Sequence, residues 1–370
     1  MDLQELRNGI DSIDKEILEL FENRMELCRN VALYKKANNL PIFQSDRENQ
    51  IIEKVKGRTK QEDLKGGTAT LFTSIMDISK HLQQQEIMKS EPDIDFLEIQ
   101  NLDDAKKIGC QGTSGANSET AAMMIFGNER PITFYQTFED VFRAVERGDV
   151  DYGVIPIQNS TAGSVTPAYD LMRKYNFNIV RSVCVEITNC LAVKKNIGIP
   201  DIKRVYSHPQ ALSQCSDFLD KNNLDIEEYG NTATAAKFVA ESDENIAVIC
   251  SEDCAKSMGL NIIAHSISNF VPNYTEFICI SKDFKVLPDA DTISVILNIS
   301  NTPGSLYRLL TKFFICGMNL DRIESRPIKN GSFDVMFYLD FKGNIRDRNV
   351  QALIKGLESD LEYFKLLGAY

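Results

Sequence analysis

Histidine is scarce in this sequence and paired cysteines are missing. The three histidines, at positions 81, 208 and 265, form no ligand-spaced cluster, so no catalytic metal site is expected. The nine cysteines are odd in number and include no CxxC pair, which reads as reduced thiols in a cytosolic protein. No stretch approaches the roughly 18 apolar residues of a membrane span. The start, MDLQELRNGI, lacks a basic segment followed by an apolar run, so no secretory signal is expected and the expected location is cytoplasmic. An excess of positive charge is missing too. Lys and Arg number 41 against 53 Asp and Glu, a net charge of −12, which argues against nucleic acid or an anionic membrane as partner. An anionic small molecule would have to be caught by locally placed cations, against the global field.

What is present is enough chain for two or three domains, 370 residues with 43% hydrophobic and 25% charged. Its rhythm changes twice. Residues 1–88 read as helices only. The first is expected from Leu3 to Ala37, with apolar positions at Leu3, Leu6, Ile10, Ile13, Ile17, Leu20, Leu27, Val31 and Tyr34. Pro41 in NNLPIF breaks it. A second helix is expected from about Asp46 to Lys56, a break at KGG (65–67), and a third helix from about Thr68 to Met88. One long helix with two shorter ones would expose most of its apolar stripe, so an intertwined homodimer, or a higher oligomer, is expected. Residues 89–105, acidic and weakly patterned, read as a linker. Residues 106–283 alternate short strands with helices, which predicts an α/β domain with a largely parallel sheet. Residues 291–370 give the order βαββαβ, a ferredoxin-like arrangement whose middle strands are joined through a hairpin turn at KNGS.

In the first segment the stripe is interrupted by Arg24, and burying an unpaired guanidinium costs several kcal/mol. Lys35 lies eleven residues further, about three turns and roughly 16 Å along the same face, so both side chains can converge on a small anion. Arg7 lies about 25 Å before Arg24 and can join such a site only from the partner of an antiparallel dimer. Arg47 and Glu48 follow on the second helix, Ser79 and Gln83 as an i,i+4 pair on the third.

The pattern LQELRNGIDSIDKEILELFENRMELCRNVALYKK…PIFQSDRE…S…Q resembles the AroQ-type chorismate mutases over residues 3–85. The resemblance implies a three-helix intertwined dimer that rearranges chorismate to prephenate. It implies that Arg24 and the partner chain's Arg7 bind the two carboxylates of the substrate. Lys35 and Gln83 would face the ether oxygen, Arg47 would support the site, Glu48 would hold the ring hydroxyl and Ser79 would add a polar contact. Gln44 stands where many members carry Asp. The residue types suit a pericyclic step, which needs positioning and fixed cations but no nucleophile.

In the second segment five turns share a design: GCQGTSGANSE (109–119), PIQNSTAGSVT (156–166), YSHPQALS (206–213), GNTATAA (230–236) and NYTEF (273–277). The first four are expected to follow a strand and lead into a helix, where small hydroxyl residues cap the helix and expose N–H groups to an anion. GTSGAN lacks the lysine of a Walker motif, so a nucleotide phosphate is not expected. Cys250 and Cys254 are expected to straddle a strand–helix turn as buried thiols. This set resembles the prephenate dehydratases over residues 106–282. The resemblance implies two α/β lobes, like a type II periplasmic binding protein, with a cleft that turns prephenate into phenylpyruvate without a cofactor. Asn159, Ser160, Thr161, Ser207, His208, Gln210, Gln214, Asn231 and Thr232 would line that cleft. Thr275 would help the ring hydroxyl depart. Three positions depart from the family pattern. Gln158 stands for Glu in IEN, Glu276 for Arg in TRF, and Asn117 for an aromatic. Glu276 either points away from the cleft or opposes a dianionic substrate.

In the third segment TPGSLYRLL (302–310) and ESRP (324–327) resemble the ACT regulatory domain. The resemblance implies phenylalanine as effector at a dimer interface, beside Gly304, Ser305 and Leu306, with Glu324, Ser325 and Arg326 on the facing strand. Together the three resemblances imply a bifunctional chorismate mutase–prephenate dehydratase of phenylalanine biosynthesis. A second reading, drawn from Gln158 and Glu276, is a regulated mutase whose middle domain is a weakened dehydratase or a ligand-binding module.

Overall fold

A computed structural model describes residues 2–89, 94–327 and 335–370. The KNGS turn lies outside the described residues, as do residues 90–93 of the expected linker. The chain divides into two compact units, Met1–Asp95 with Asp291–Leu366, and Phe96–Ala290 with Leu367–Tyr370.

The first unit opens with α1 (Leu3–Ala37), whose ends follow from sequence. Asp2 accepts from the Glu5 N–H while the Glu5 carboxylate accepts from the Asp2 N–H, a reciprocal cap worth about 1 kcal/mol. At the other end Asn38 caps the helix and Asn39 takes a left-handed φ of 53°, before Pro41. Next come α2 (Ser45–Arg58) and α3 (Lys65–Met88). The KGG break is not there: Gly66 and Gly67 lie in the first turn of α3, fed by a 3₁₀ turn at Glu62–Leu64. Glycine costs about 1 kcal/mol per helical position, and burial further along the helix, at Met76, Ile87 and Met88, outweighs it.

The helix α1 carries two faces. Met25 and Ala32 are buried on the side that packs on α3. The stripe from Leu3 through Ile10, Ile17, Leu20 and Leu27 to Val31 stays 44–69% exposed within one chain.

The second unit begins with β1 (Leu97–Glu98) and β2 (Ile108–Gln111), with Leu102 and Ala105 buried between them, so the expected linker already contributes to a core. There follow α4 (Asn117–Phe126), β3 (Ile132–Tyr135), α5 (Phe138–Arg147), β4 (Tyr152–Asn159), β5 (Gly163–Ser164), α6 (Thr166–Lys174) and β6 (Asn178–Glu186). A second lobe holds β7 (Asn189–Val193), β8 (Arg204–Ser207), α7 (Pro209–Gln214), α8 (Ser216–Lys221), β9 (Ile226–Glu228), α9 (Thr232–Glu241), β10 (Ile246–Ser251), α10 (Glu252–Ser257) and β11 (Asn261–Ala264). The chain then returns to the first lobe through β12 (Tyr274–Ser281) and β13 (Lys285–Val286). Strand orders are β3–β2–β4–β12–β6 and β9–β8–β10–β7–β11.

Both sheets are mixed, not largely parallel. β12 runs antiparallel to β4 and β6, and β7 antiparallel to β10 and β11. The strands next to the two crossings between lobes account for this, and strand–helix alternation along the sequence does not register them. Cys250 on β10 and Cys254 on α10 are buried thiols, as expected. The lobes touch where Gly115, at φ +86°, rests on α10. A Cβ there would lie 3.0 Å from the Cys254 Cα.

The chain re-enters the first unit with β14 (Thr292–Asn298), α11 (Ser305–Ile315), β15 (Leu320–Pro327), β16 (Val335–Lys342), α12 (Arg348–Asp360) and the start of β17 (Phe364–Ala369), whose residues from Leu367 on belong to the second unit, in the expected βαββαβ order. Its strand order is β15–β16–β14–β17, and α11 and α12 both pack on α3.

Candidate functional site

The charged set of the helices gathers in part. Arg24 is half-buried at the margin between the two faces of α1, and its Nη1 lies 3.7 Å from Cys28 Sγ. Lys35 Nζ donates to the Ile42 carbonyl at 2.7 Å. Burial lowers the pKa of Lys35, while Cys28 and Glu48 pull it up and Lys80 adds to the lowering, so these four groups share one neighbourhood. Glu48 is mostly buried, with Lys80 Nζ at 2.9 Å from Oε1 and Arg308 Nη2 at 2.9 Å from Oε2. Ser79 and Gln83 are buried. Gln83 Nε2 donates to Ser79 Oγ at 3.1 Å, and its Oε1 has no hydrogen-bond partner among the described residues. Arg7 and Arg47 are exposed. Because α1 is one unbroken helix, Arg7 is held about 25 Å from Arg24 on its own chain. Lys80 and Arg308, outside the expected set, both pair with Glu48. Lys80 sits one residue beyond Ser79, and Arg308 stands inside TPGSLYRLL, where nothing local points to partners in the helical segment.

In the second unit the five turns converge on a cleft of about 440 Å³ between the lobes. Its lining includes Asn159, His208, Gln210, Gln214, Asn231, Thr232 and Thr275, and also Asn117. As expected, the first four turns each follow a strand and lead into a helix. Asn231 caps α9 by accepting from Thr234 N–H at 2.7 Å, and His208 caps α7.

Asn159 organises the cleft floor. Its Oδ1 accepts from the backbone N–H groups of Thr161 and Ala162, which fixes the orientation of the amide. Its Nδ2 then donates to Asn273 Oδ1 at 2.7 Å and to Thr275 Oγ1 at 2.9 Å. Thr275 Oγ1 is thus an acceptor on that side, and its own proton remains to be donated into the cleft. A bulge at Ile157, where β4 spends an extra residue against β12, lets both Pro156 and Asn159 face the cleft.

Three residues of the expected set do other work. Ser207 is fully buried and donates to the Ile249 carbonyl at 2.6 Å. Ser160 accepts from the Tyr274 N–H at 2.9 Å and so fastens the turn to β12. Thr161 Oγ1 bonds Asn159 Oδ1 at 2.8 Å and accepts from Gln214. None of the three is part of the lining.

Asn273, 2% exposed and outside the expected set, joins Asn159 to Gln214 across the lobes. Asn189 and the apolar walls Phe138, Ile187 and Phe277 also line the cleft without having been expected there. The NYTEF motif contains both Asn273 and Phe277, whereas Phe138 and Ile187 stand outside the five turns.

Gln158 and Glu276 are cross-strand partners, and neither lines the cleft. Side chains alternate along β12, so Thr275 and Phe277 face the cleft and Glu276 the opposite side. Of the two alternatives for Glu276, this geometry selects the one in which it points away.

In the third segment Gly304 caps α11 at φ +87°, a left-handed position that favours glycine. Ser305 Oγ lies 2.7 Å from Thr302 Oγ1, and Leu306 is 41% exposed. Glu324 and Arg326 pair at 3.6 Å on one face of β15, with Ser325 on the other. Strand β16 stands between β14 and β15, so the ESRP strand does not adjoin the strand that leads into the Gly304 turn.

Known proteins match these parts. The family model for chorismate mutase type II matches residues 6–84, and that for prephenate dehydratase residues 108–285. A bifunctional chorismate mutase/prephenate dehydratase from Aquifex aeolicus is 31% identical over 100% of this chain and 98% of its own length. An arogenate dehydratase/prephenate dehydratase of Arabidopsis thaliana is 35% identical over 71% of this chain and 72% of its own. Among solved structures, a prephenate dehydratase from Arthrobacter aurescens in complex with L-Phe is 29% identical, with a TM-score of 0.66 over 71% of this chain and 89% of that one.

Proposed function

The chain belongs to the bifunctional chorismate mutase/prephenate dehydratases, enzymes of phenylalanine biosynthesis, and on that premise we propose how its residues divide the two reactions. The domains are 1–88 for the mutase, 106–283 for the dehydratase and 291–370 for an ACT domain of ferredoxin-like fold, in a cytoplasmic homodimer or higher oligomer.

In the mutase, Arg24 and Arg7 of the partner subunit clamp the two carboxylates of chorismate. Lys35 and Gln83 meet the ether oxygen as its bond to the ring breaks, Glu48 holds the ring hydroxyl, and Arg47 and Ser79 support the site. The exposed apolar stripe of α1 supports the second chain, since it runs beside Arg24 along the whole helix. The chemistry asks only for a folded conformer and fixed positive charge at the oxygen.

In the dehydratase, prephenate lies in the 440 Å³ cleft with a carboxylate toward the start of α9 at Asn231 and Thr232. Thr275 donates its proton to the departing ring hydroxyl, which leaves as water, while carbon dioxide leaves the quaternary carbon, the electron pair freed there closes the aromatic ring, and the Thr275 oxygen takes a proton back from solvent. The observation that carries this assignment is the Asn159 bond that turns Thr275 into a donor toward the cleft. His208, Gln210 and Gln214 supply further polar contacts.

Purified protein supplied with chorismate alone is expected to consume it and accumulate phenylpyruvate, read at two wavelengths. Accumulation of prephenate with no phenylpyruvate would leave the rival reading, a regulated mutase carrying a ligand-binding module.

Phenylalanine binds beside Gly304, Ser305 and Leu306. One chain keeps Glu324, Ser325 and Arg326 on a strand apart from that turn, so they complete the site from a second chain. Isothermal titration is expected to show binding, and Gly304→Ala to weaken it at least about tenfold, because a Cβ strains the left-handed turn. No heat with the wild type, or undiminished affinity in the variant, contradicts the assignment.

A further inference from the structure

The helix that follows the Gly304 turn reaches into the mutase. Arg308 stands in the first turn of α11, and its N–H donates to the Gly304 carbonyl at 2.9 Å. Its Nη2 lies 2.9 Å from Glu48 Oε2 on α2 and 3.3 Å from Asp77 Oδ1 on α3. Lys80 closes the ring of charges, with Nζ 2.9 Å from both Glu48 Oε1 and Asp77 Oδ1. Asp77 is 1% exposed in its side chain, Lys80 11% and Glu48 14%, while Arg308 is 40% exposed, so two buried carboxylates are neutralised by one buried cation and one that closes the cluster from the solvent side. Burial alone would lower the pKa of Lys80, and the Asp77 and Glu48 carboxylates raise it above the ordinary lysine value.

Each Glu48 oxygen therefore has its own cation, one from the mutase helices and one from the C-terminal segment. A carboxylate held at both oxygens has a fixed plane, and with Lys80 alone it is free to turn about its terminal torsion. The contact is part of a longer one, since Cys316, the residue that caps the C-terminal end of α11, has its Sγ 3.5 Å from His81 Nδ1 on α3.

We propose that Arg308 is a positioning residue of the mutase site, holding Glu48 in the orientation that meets the chorismate ring hydroxyl, so that the backbone turn at Gly304 and the mutase are mechanically joined through one side chain. This rests on the assignment of Glu48 to the ring hydroxyl. It makes the C-terminal segment a structural part of the first active site, in addition to its effector role.

The test uses the full-length protein with Arg308→Gln, Arg308→Lys, Glu48→Gln and the Glu48→Gln/Arg308→Gln double variant. Arg308→Gln is expected to raise KM for chorismate about tenfold with kcat changed less than about threefold, the pattern of lost positioning of a binding group. Arg308→Lys is expected to remain within about threefold of wild type in both constants. The double variant is expected to be no worse than Glu48→Gln alone, because both changes act through one carboxylate. Dehydratase turnover of added prephenate by Arg308→Gln is expected to match wild type, which also reports that the chain is folded. An unaltered KM in Arg308→Gln, full additivity in the double variant, or a parallel fall in both activities overturns the inference. A Glu48→Gln variant with normal mutase activity overturns the Glu48 assignment itself, a result distinct from a failure of Arg308 alone.

Discussion

Arg24→Ala is expected to lower chorismate turnover about a thousandfold, the scale of removing a preorganised charge from a dry site, while turnover of added prephenate stays at the wild-type level. The size of the effect follows from what Arg24 does in the free chain. Its guanidinium is half-buried beside Cys28 Sγ at 3.7 Å, with no ion pair among the described residues. Such a charge stabilises little and is held ready for an anion. The fold is therefore expected to lose nothing on truncation, and thermal unfolding of the variant is expected to match wild type within a few degrees. Normal chorismate turnover in a folded Arg24→Ala dimer would remove Arg24 from the site.

Thr275→Val is the complementary case. The substitution keeps the shape and removes the hydroxyl, which is the donor toward the cleft and also the acceptor of one of the Asn159 amide bonds, and general-acid assistance of this kind contributes about a hundred- to ten-thousandfold. Dehydratase kcat is expected to fall about a thousandfold with KM for prephenate little changed, since the cleft lining contributed by Asn159, Asn231 and Gln210 is intact. Asn273→Leu is expected to reproduce part of the loss. It deprives the Asn159 amide of its 2.7 Å partner and so loosens the group that orients Thr275. Chorismate turnover is expected to stay normal in both. Retained dehydratase kcat in Thr275→Val would assign the proton to another donor in the cleft.

Local signals in the sequence carried much of this. The apolar spacing from Leu3 and the NNLPIF break at Pro41 marked both ends of α1. The hydroxyl-rich turns marked four strand-to-helix junctions, and all four line the cleft. What was hidden depends on pairing between distant segments. The antiparallel course of β7 and β12 arises where the chain crosses between lobes, and no residue type announces it. Ile132–Tyr135 and Asn261–Ala264 are four-residue strands, too short for a period to emerge. Gly66 and Gly67 looked like a break because propensity is local, whereas burial further along α3 is not.

The site residues divide the same way. Thr275 and Asn159 stood in motifs, but the hydrogen bond that gives Thr275 its direction needed the register of β4 against β12. Ser207 shared a motif with His208 and is turned into the core by strand alternation. Glu276 raised an electrostatic objection that the same alternation removes. Arg308 could not be foreseen, because its partners Glu48 and Asp77 lie 260 and 231 residues away in sequence.

The central structural claim is that the first active site is assembled from two chains, and mixing tests it most directly. Arg7→Ala and Arg24→Ala chains are each expected to be inactive toward chorismate alone. Dissociated together and reassociated, they form hybrid dimers with one intact site, because Arg24 of one chain meets Arg7 of the other across a two-fold interface. With random pairing, recovery of about a quarter of wild-type turnover is expected. No recovery, with hybrid dimers demonstrated by mass, would contradict a site shared between subunits.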